Sequence, residues 1–305
     1  MNALSIPDLR VGSPTKCGPL AVLPLYHERS LLPDATCDYA LAAEAIVAGM
    51  VVVSEVSEAG SVCELAVENA GDRPVFFLEG EELKGAKQNR AVCSSVMVAG
   101  MSRTCIPVCC VQRGRWTYLS RQFSPGSCCP PSLRLLFKQG GHGGVAQGGF
   151  RRQEAVWREI RRKHMATATR SEKENLSDTL EAHRVAVEHL RGGLRYPEGA
   201  SGVAFALGGK IVCLDLFDKP ATLEKLWDRL VQGVTIDALE LRDAGCPADE
   251  QKPVRLYMES IRSVRWERVA TVGLGQAYWA RNDNALMTAL VADGASVHVG
   301  VSALI

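Results

Sequence analysis

At 305 residues, with 47% hydrophobic and 23% charged side chains, the chain has the composition of an ordinary folded protein and not of a disordered one. A formal net charge of +1 supplies no global field to draw in nucleic acid or an anionic membrane, so partner choice is a local matter. Residues 1–8 carry neither the basic lead nor the apolar stretch of a secretory signal, and the run 40–53 is too short to span a bilayer; the expectation is a cytoplasmic protein without a membrane partner.

The first half reads mainly as strands. Residues 20–26 and 50–56 are apolar and partly β-branched, and a short helix at 38–48 stands between them, stopped by Gly49. Residues 62–68 and 75–78 follow, separated by Asn69-Ala70-Gly71-Asp72-Arg73-Pro74, whose turn chemistry predicts a hairpin. Residues 91–98 and 104–111 continue the series of antiparallel strands. Residues 124–150, with Pro125, Pro130, Pro131 and Gly140-Gly141-His142-Gly143-Gly144, read as a loop or linker between a mainly β lobe at 1–123 and an α/β lobe at 151–305. Amphipathic helices are expected at 151–163 and 177–190, with His164, His183 and His189 on their surfaces. Beyond them, 203–207 and 211–216 flank Gly208-Gly209, a hairpin signal, and a helix runs on from Asp218 or Thr222. Strands are expected at 268–272, 276–279 and 297–301, with a short helix at 284–292. The fold class is therefore α+β: an antiparallel β-sandwich or half-barrel in the N-terminal part, packed with a mixed α/β C-terminal part, in one composite domain.

Eleven cysteines in a chain this long, odd in number, read as thiols and not as a disulfide scaffold. Cys63, Cys93, Cys105 and Cys213 sit in apolar runs, where cysteine acts as a small hydrophobe. Cys109-Cys110 and Cys128-Cys129 are poor zinc ligands, because neighbours on a strand point to opposite faces and no Cys-x-x-Cys occurs. No metal ligand set is assigned.

The chemistry concentrates in residues 77–90, Phe-Leu-Glu-Gly-Glu-Glu-Leu-Lys-Gly-Ala-Lys-Gln-Asn-Arg, where three carboxylates and three cations follow an apolar strand and two glycines allow close turns. A second segment, 106–118, again ends a strand in cations and aromatics, with Arg113, Arg115 and Arg121 able to clamp an anion and Trp116 or Tyr118 able to stack on a ring. If their strands are neighbours, the two segments meet at one end of a sheet. The leading reading is recognition of a small anionic, nucleotide-like ligand by Lys84, Lys87, Gln88, Asn89, Arg90 and Arg115, with Trp116 as a wall. An alternative is a carboxylate- or metal-dependent, hydrolase-like enzyme in which Glu79, Glu81 or Glu82 acts as base or ligand. A third is a structural interaction module with its charges solvated and paired. The cofactor is unknown, a homo-oligomer is open, and nucleic acid is not the expected partner. Walker-type, nucleophile-elbow and zincin motifs are absent, and Gly273-Leu274-Gly275 lacks the third glycine of a dinucleotide fingerprint.

Residues 77–90, with Ile106-Pro107-Val108, Gly114-Arg115-Trp116 and Leu214-Asp215-Leu216-Phe217-Asp218, resemble the ARG and rhodanese-phosphatase-associated domain family. Cys109-Cys110 and Gln112 are mild departures from its pattern. The resemblance implies a compact ligand-binding or catalytic domain over nearly the whole chain, in a prokaryotic conflict or stress setting.

Overall fold

A computed structural model describes residues 4, 6, 8–27, 37–139, 144–241 and 251–304. They fall into two units: unit 1, Met1–Cys37, Val185–Val269 and Gln276–Ile305, and unit 2, Asp38–Arg184 and Ala270–Gly275. The chain begins in unit 1 with β1 (Leu9–Val11), β2 (Thr15–Cys17) and β3 (Leu20–His27). Unit 2 then supplies β4 (Ala40–Leu41), α1 (Ala42–Val47), β5 (Val51–Glu55), β6 (Glu64–Asn69), β7 (Val75–Phe77), β8 (Glu81–Gly85), β9 (Arg90–Val92), β10 (Val96–Val98), β11 (Ser102–Cys110), β12 (Phe123–Cys128), α2 (Pro131–Lys138), α3 (Gly144–Ala166) and α4 (Ser177–Ala182). From α5 (Arg184–Gly193) the chain is again in unit 1, with β13 (Gly202–Leu207), β14 (Lys210–Phe217), α6 (Pro220–Ala238), α7 (Gln251–Arg262), β15 (Glu267–Val269), β16 (Gln276–Arg281), β17 (Ala285–Ala292) and β18 (Ala295–Ala303). Among the described residues no helix is long and apolar enough to cross a membrane.

Unit 1 is built on one nine-stranded sheet in the order β1-β3-β13-β14-β18-β17-β16-β15, with β2 added on β3. Alternation along each strand sends side chains to both faces, and both faces are covered. Leu23, Leu214, Leu216, Met287 and Val299 pack with Val254, Met258 and Ile261 of α7, while Phe205 turns the other way, its ring centroid 6.3 Å from Trp227 of α6. That double coverage is why β3 and β13 read as continuous apolar runs.

Unit 2 holds a six-stranded sheet, β12-β8-β9-β11-β6-β5, and a three-stranded one, β10-β7-β4. Val53, Leu65 and Val108 of the first and Phe77 and Val98 of the second join one apolar core, closed by Ala42 and Ala45 of α1.

The α+β class holds, and the hairpin at Gly208-Gly209 is present. Several expectations change. Among the described residues the C-terminal strands pair only antiparallel; the one parallel pairing is β4 with β7. Residues 285–292 form β17 and not a helix, because β16 and β18 bond both of its edges and override the helical leaning of Ala, Leu and Met. The turn at 69–74 reverses the chain without making a hairpin: β6 pairs with β5 and β11, β7 with β4 and β10. Asn69 fixes that turn through its side-chain amide, which donates to the carbonyls of Arg73 (2.9 Å) and Ala99 (3.0 Å). Within 124–150, β12 and α2 replace much of the expected loop; Pro131 opens α2 at a position where a missing N–H costs nothing. Gly140–Gly143 lie outside the described residues. The helix at 177–190 divides at His183 into α4 and α5. His164 is buried and His183 half-buried, so only His189 is a surface residue. Of the four cysteines read as small hydrophobes, Cys93 and Cys213 are buried, Cys63 is half-buried and Cys105 is exposed. Gly273, first residue of the incomplete fingerprint, serves packing: a Cβ there would stand 2.1 Å from the Met97 carbonyl oxygen.

A buried polar layer and the hollow beside it

Residues 77–90 of unit 2 form neither a solvated hairpin nor an open rim. The chain leaves β7, turns through Gly80 and enters β8, so that the alternation of β8 and β9 and their partner strands buries most of the polar side chains. Gly80 holds φ +90° with its missing Cβ position 2.9 Å from Arg134 Cδ, which lets the Arg134 side chain cross the turn. Arg134 and Lys138, four residues apart on α2, converge on Glu79: Lys138 Nζ donates to Glu79 Oε1, and Arg134 Nε stands 3.5 Å from the same oxygen. All three side chains are buried. Glu81 Oε2 accepts from the Leu78 N–H at 2.9 Å. Glu82 accepts from Ser127 Oγ at 3.1 Å and from Ser177 Oγ, with half-exposed Lys84 at 3.7 Å. A charge buried at this depth costs stability unless it is paired or bonded: Glu79 and Glu82 each have a cation beside them, and Glu81 has the Leu78 N–H.

The basic half of the segment is likewise held from within. Lys87 Nζ donates to the Glu58 and Ala59 carbonyls and lies over the rings of Trp116 (5.5 Å) and Tyr118 (5.1 Å). Arg90 donates to Gln88 Oε1 (2.7 Å), Cys110 Sγ (2.7 Å) and the Ser61 carbonyl (3.2 Å), and pairs with Glu55 at 3.7 Å. The Trp116 ring, 42% exposed, caps Arg90 at 5.2 Å. Arg115 donates to the carbonyls of Ala86, Thr117 (2.9 Å) and Gly85 (3.1 Å). Burial first, then the like charge of Arg90, lowers the pKa of the Arg115 guanidinium, while Glu55 raises it. The two polar segments therefore do meet, as the strand order requires.

Their junction is an amide chain. Gln112 Oε1 accepts from Arg115 Nε (3.0 Å) and from the Asn89 N–H (3.3 Å); Asn89 Nδ2 donates to Asn175 Oδ1 (3.2 Å), and Asn175 Nδ2 donates to Asp178 Oδ1 (2.8 Å). Gln112, Asn175 and Asp178 line a hollow of about 400 Å³ together with Arg170, Glu172 and Lys173. Arg170, Glu172 and Lys173 are exposed. The loop carrying them is tied down by the Gly114 N–H to the Lys173 carbonyl (3.0 Å) and the Leu176 N–H to the Val111 carbonyl (3.0 Å), with Glu174 at φ +44°. Non-glycine residues in that region cost free energy and collect at functional sites.

Arg113 and Arg121, also considered as clamps, pair elsewhere, with Glu174 at 3.5 Å and Glu58 at 2.7 Å. Glu55, Arg134, Lys138, Asn175, Arg170 and Lys173 were not singled out from sequence. Glu55 had a signal: it follows Val51 and Val53 on the inward face of an alternating strand. Arg134 and Lys138 share a helix face with the apolar docking residues Leu133 and Phe137. Nothing local marks Asn175. Among the described residues no group of three or more His, Cys, Asp or Glu is placed to hold a metal ion.

The profile of the ARG and Rhodanese-Phosphatase-superfamily-associated Protein domain matches residues 8–302, nearly the whole chain. No curated protein and no solved structure matches it.

Proposed function

The chain belongs to the ARG and Rhodanese-Phosphatase-superfamily-associated Protein domain family, and from that premise we propose that unit 2 binds a small anionic ligand, a nucleotide or phosphorylated metabolite, in the hollow beside Gln112 and Asn175. The observation that carries this reading is the double use of Gln112: it lines the hollow and is locked from behind by Asn89 and Arg115. Lys173 and Arg170 at the mouth reach the anion, and Arg90 and Arg115 act from one layer behind, fixing the amides and adding positive potential. Lys84, Lys87, Gln88 and Trp116 serve as the frame of that layer. The catalytic alternative asks more of the molecule, because Glu79 and Glu82 would have to give up buried partners to act as bases.

Titration calorimetry with inorganic phosphate and with adenosine monophosphate tests the proposal. Binding of at least one is expected, and loss of it in the Arg170→Ala/Lys173→Ala double variant, whose fold should be unchanged because both positions are exposed. Gln112→Ala should weaken binding by about tenfold or more, the cost of roughly one lost hydrogen bond to a charged group. Binding that is equally strong in the double variant, or no binding of any nucleotide or phosphorylated metabolite, would remove the hollow as the site.

A further inference from the structure

Cys93 and Cys109 stand on one face of the sheet in unit 2. Val92 is opposite Val108 and Ala91 opposite Cys109, and the Cys93 N–H donates to the Pro107 carbonyl at 3.0 Å, so the two cysteines are diagonal neighbours across β9 and β11. Cys93 Sγ donates to Cys109 Sγ at 2.8 Å. We propose that Cys109 is a site of reversible oxidation by a small hydroperoxide, with Cys93 as the thiol that closes a disulfide onto it. This goes beyond the ligand proposal and does not depend on it.

Charge distinguishes Cys109 from the thiols around it. The hydrogen bond from Cys93 lowers its pKa most, burial opposes this, and the charges of Arg152 and Arg90 add to the lowering. Cys93 is pushed well above the ordinary range, first by burial and then by its bond to Cys109. Of the two sulfurs, Cys109 is therefore the one whose thiolate the site favours, with Cys93 as the proton-bearing partner. Cys110 projects to the opposite face beside Arg90, and burial raises it to about 12; burial likewise raises Cys129.

The Cys109 thiolate attacks one oxygen of the hydroperoxide, the O–O bond breaks, and the leaving alkoxide or hydroxide takes a proton; Cys109 is left as a sulfenic acid. The Cys93 sulfur then gives up its proton and attacks the Cys109 sulfur, the S–O bond breaks, and hydroxide leaves as water. Two thiols lose two electrons and two protons, and the peroxide is reduced to an alcohol or water plus one further water. Diagonal positions on a sheet stand about 7–8 Å apart, longer than the roughly 4.4–6.8 Å that a relaxed disulfide spans between Cα atoms. Cys93 lies in the bend just past β9, and its Sγ already stands 2.8 Å from Cys109 Sγ.

The full chain, first reduced, is exposed to hydrogen peroxide, unfolded in an alkylating agent and mapped by peptide mass. A linked pair of peptides carrying Cys93 and Cys109, lighter by two hydrogens and restored by dithiothreitol, is expected. In Cys93→Ser, Cys109 should stop at a sulfenic acid captured by dimedone; in Cys109→Ser, Cys93 should stay alkylatable throughout. Exposed Cys105 serves as the internal control for peroxide reaching the chain. Cys93 and Cys109 both alkylated in the wild-type chain under peroxide that oxidises Cys105 would overturn the proposal, as would a link from Cys93 to any other cysteine. The wild-type map needs no variant to fold.

Discussion

Unit 1 and unit 2 both bury extensive sheets, but they differ in what they bury. Among the described residues, the buried Asp, Glu, Lys, Arg and His side chains of unit 1 are Asp215, Asp218 and His298. Unit 2 buries Glu55, Glu79, Glu81, Glu82, Lys87, Arg90, Arg115, Arg134, Lys138, Lys163 and His164. Desolvating so many charges is not an efficient route to stability, since apolar residues of similar volume serve as well or better. A layer of this kind is better understood as a means of placing polar groups with precision, which the amide chain at Asn89, Gln112 and Asn175 requires. Unit 1 is a packing solution, whereas in unit 2 packing is subordinate to a fixed polar geometry.

The sharpest way to break that contrast is at Glu79. Glu79→Ala leaves Lys138 and Arg134 facing a lost carboxylate and should destabilise the chain by about 3–5 kcal/mol, the range for removing one partner of a buried ion pair. Replacing the group together, as Glu79→Leu, Arg134→Met and Lys138→Met, should restore most of that loss. Urea denaturation measures both. If the triple variant is no better than the single one, the layer is a stability device and the contrast fails. In unit 1 the matching experiment is Leu214→Ala, which should cost about 2–4 kcal/mol through a cavity alone, with no apolar rescue beyond refilling the volume. A smaller effect is expected at Asn89, whose Oδ1 accepts from the Gly85 N–H at 3.1 Å and whose amide holds Asn175. Asn89→Ala should cost about 1–2 kcal/mol and weaken phosphate binding measured by calorimetry. Unchanged binding in a folded variant would separate the buried layer from the hollow.

How much of this was legible follows from the same contrast. The apolar strands of unit 1 announce themselves by composition, and the Gly208-Gly209 hairpin by its turn residues, because both are local signals. Residues 285–292 read as helix because Ala, Leu and Met are helix formers, whereas their strand state comes from edge bonds to the hairpin neighbours β16 and β18, which the composition of the segment itself does not announce. In unit 2 the density of charge at 77–90 located the segment but concealed its burial, since a run of charges ordinarily marks a solvated face. The residues that neutralise it, Arg134, Lys138 and Glu55, come from other elements, and Glu55 alone carries a period-two signature. The hollow was illegible for a plainer reason: Arg170, Lys173 and Asn175 lie in an irregular segment whose position is set by backbone bonds to Val111, Arg113 and Gly114, just past β11.

The smallest effect concerns pH, and it too should reside in unit 2. His164 is buried at the end of α3, its Nε2 3.1 Å from the Asn175 carbonyl oxygen. Burial lowers its pKa from the ordinary 6.5, opposed by the Asn175 backbone bond and by the charges of Asp178 and Glu174. Between the folded and unfolded pKa values the unfolded chain therefore binds the proton that the folded chain refuses, and stability rises with pH across that window. The contribution is fully present above 6.5 and declines as pH falls below it, until the folded-state pKa is passed. Thermal midpoints recorded from about pH 7.5 down to about pH 5.5, the range in which histidine changes charge, should fall less steeply in His164→Gln than in the wild-type chain. The imidazole resonance of His164 followed by NMR should titrate below 6.5. A midpoint above that value would mean the ring is stabilised as a cation by Asp178 and Glu174, and the edge of the layer nearest the hollow would then be governed by charge pairing and not by exclusion of water.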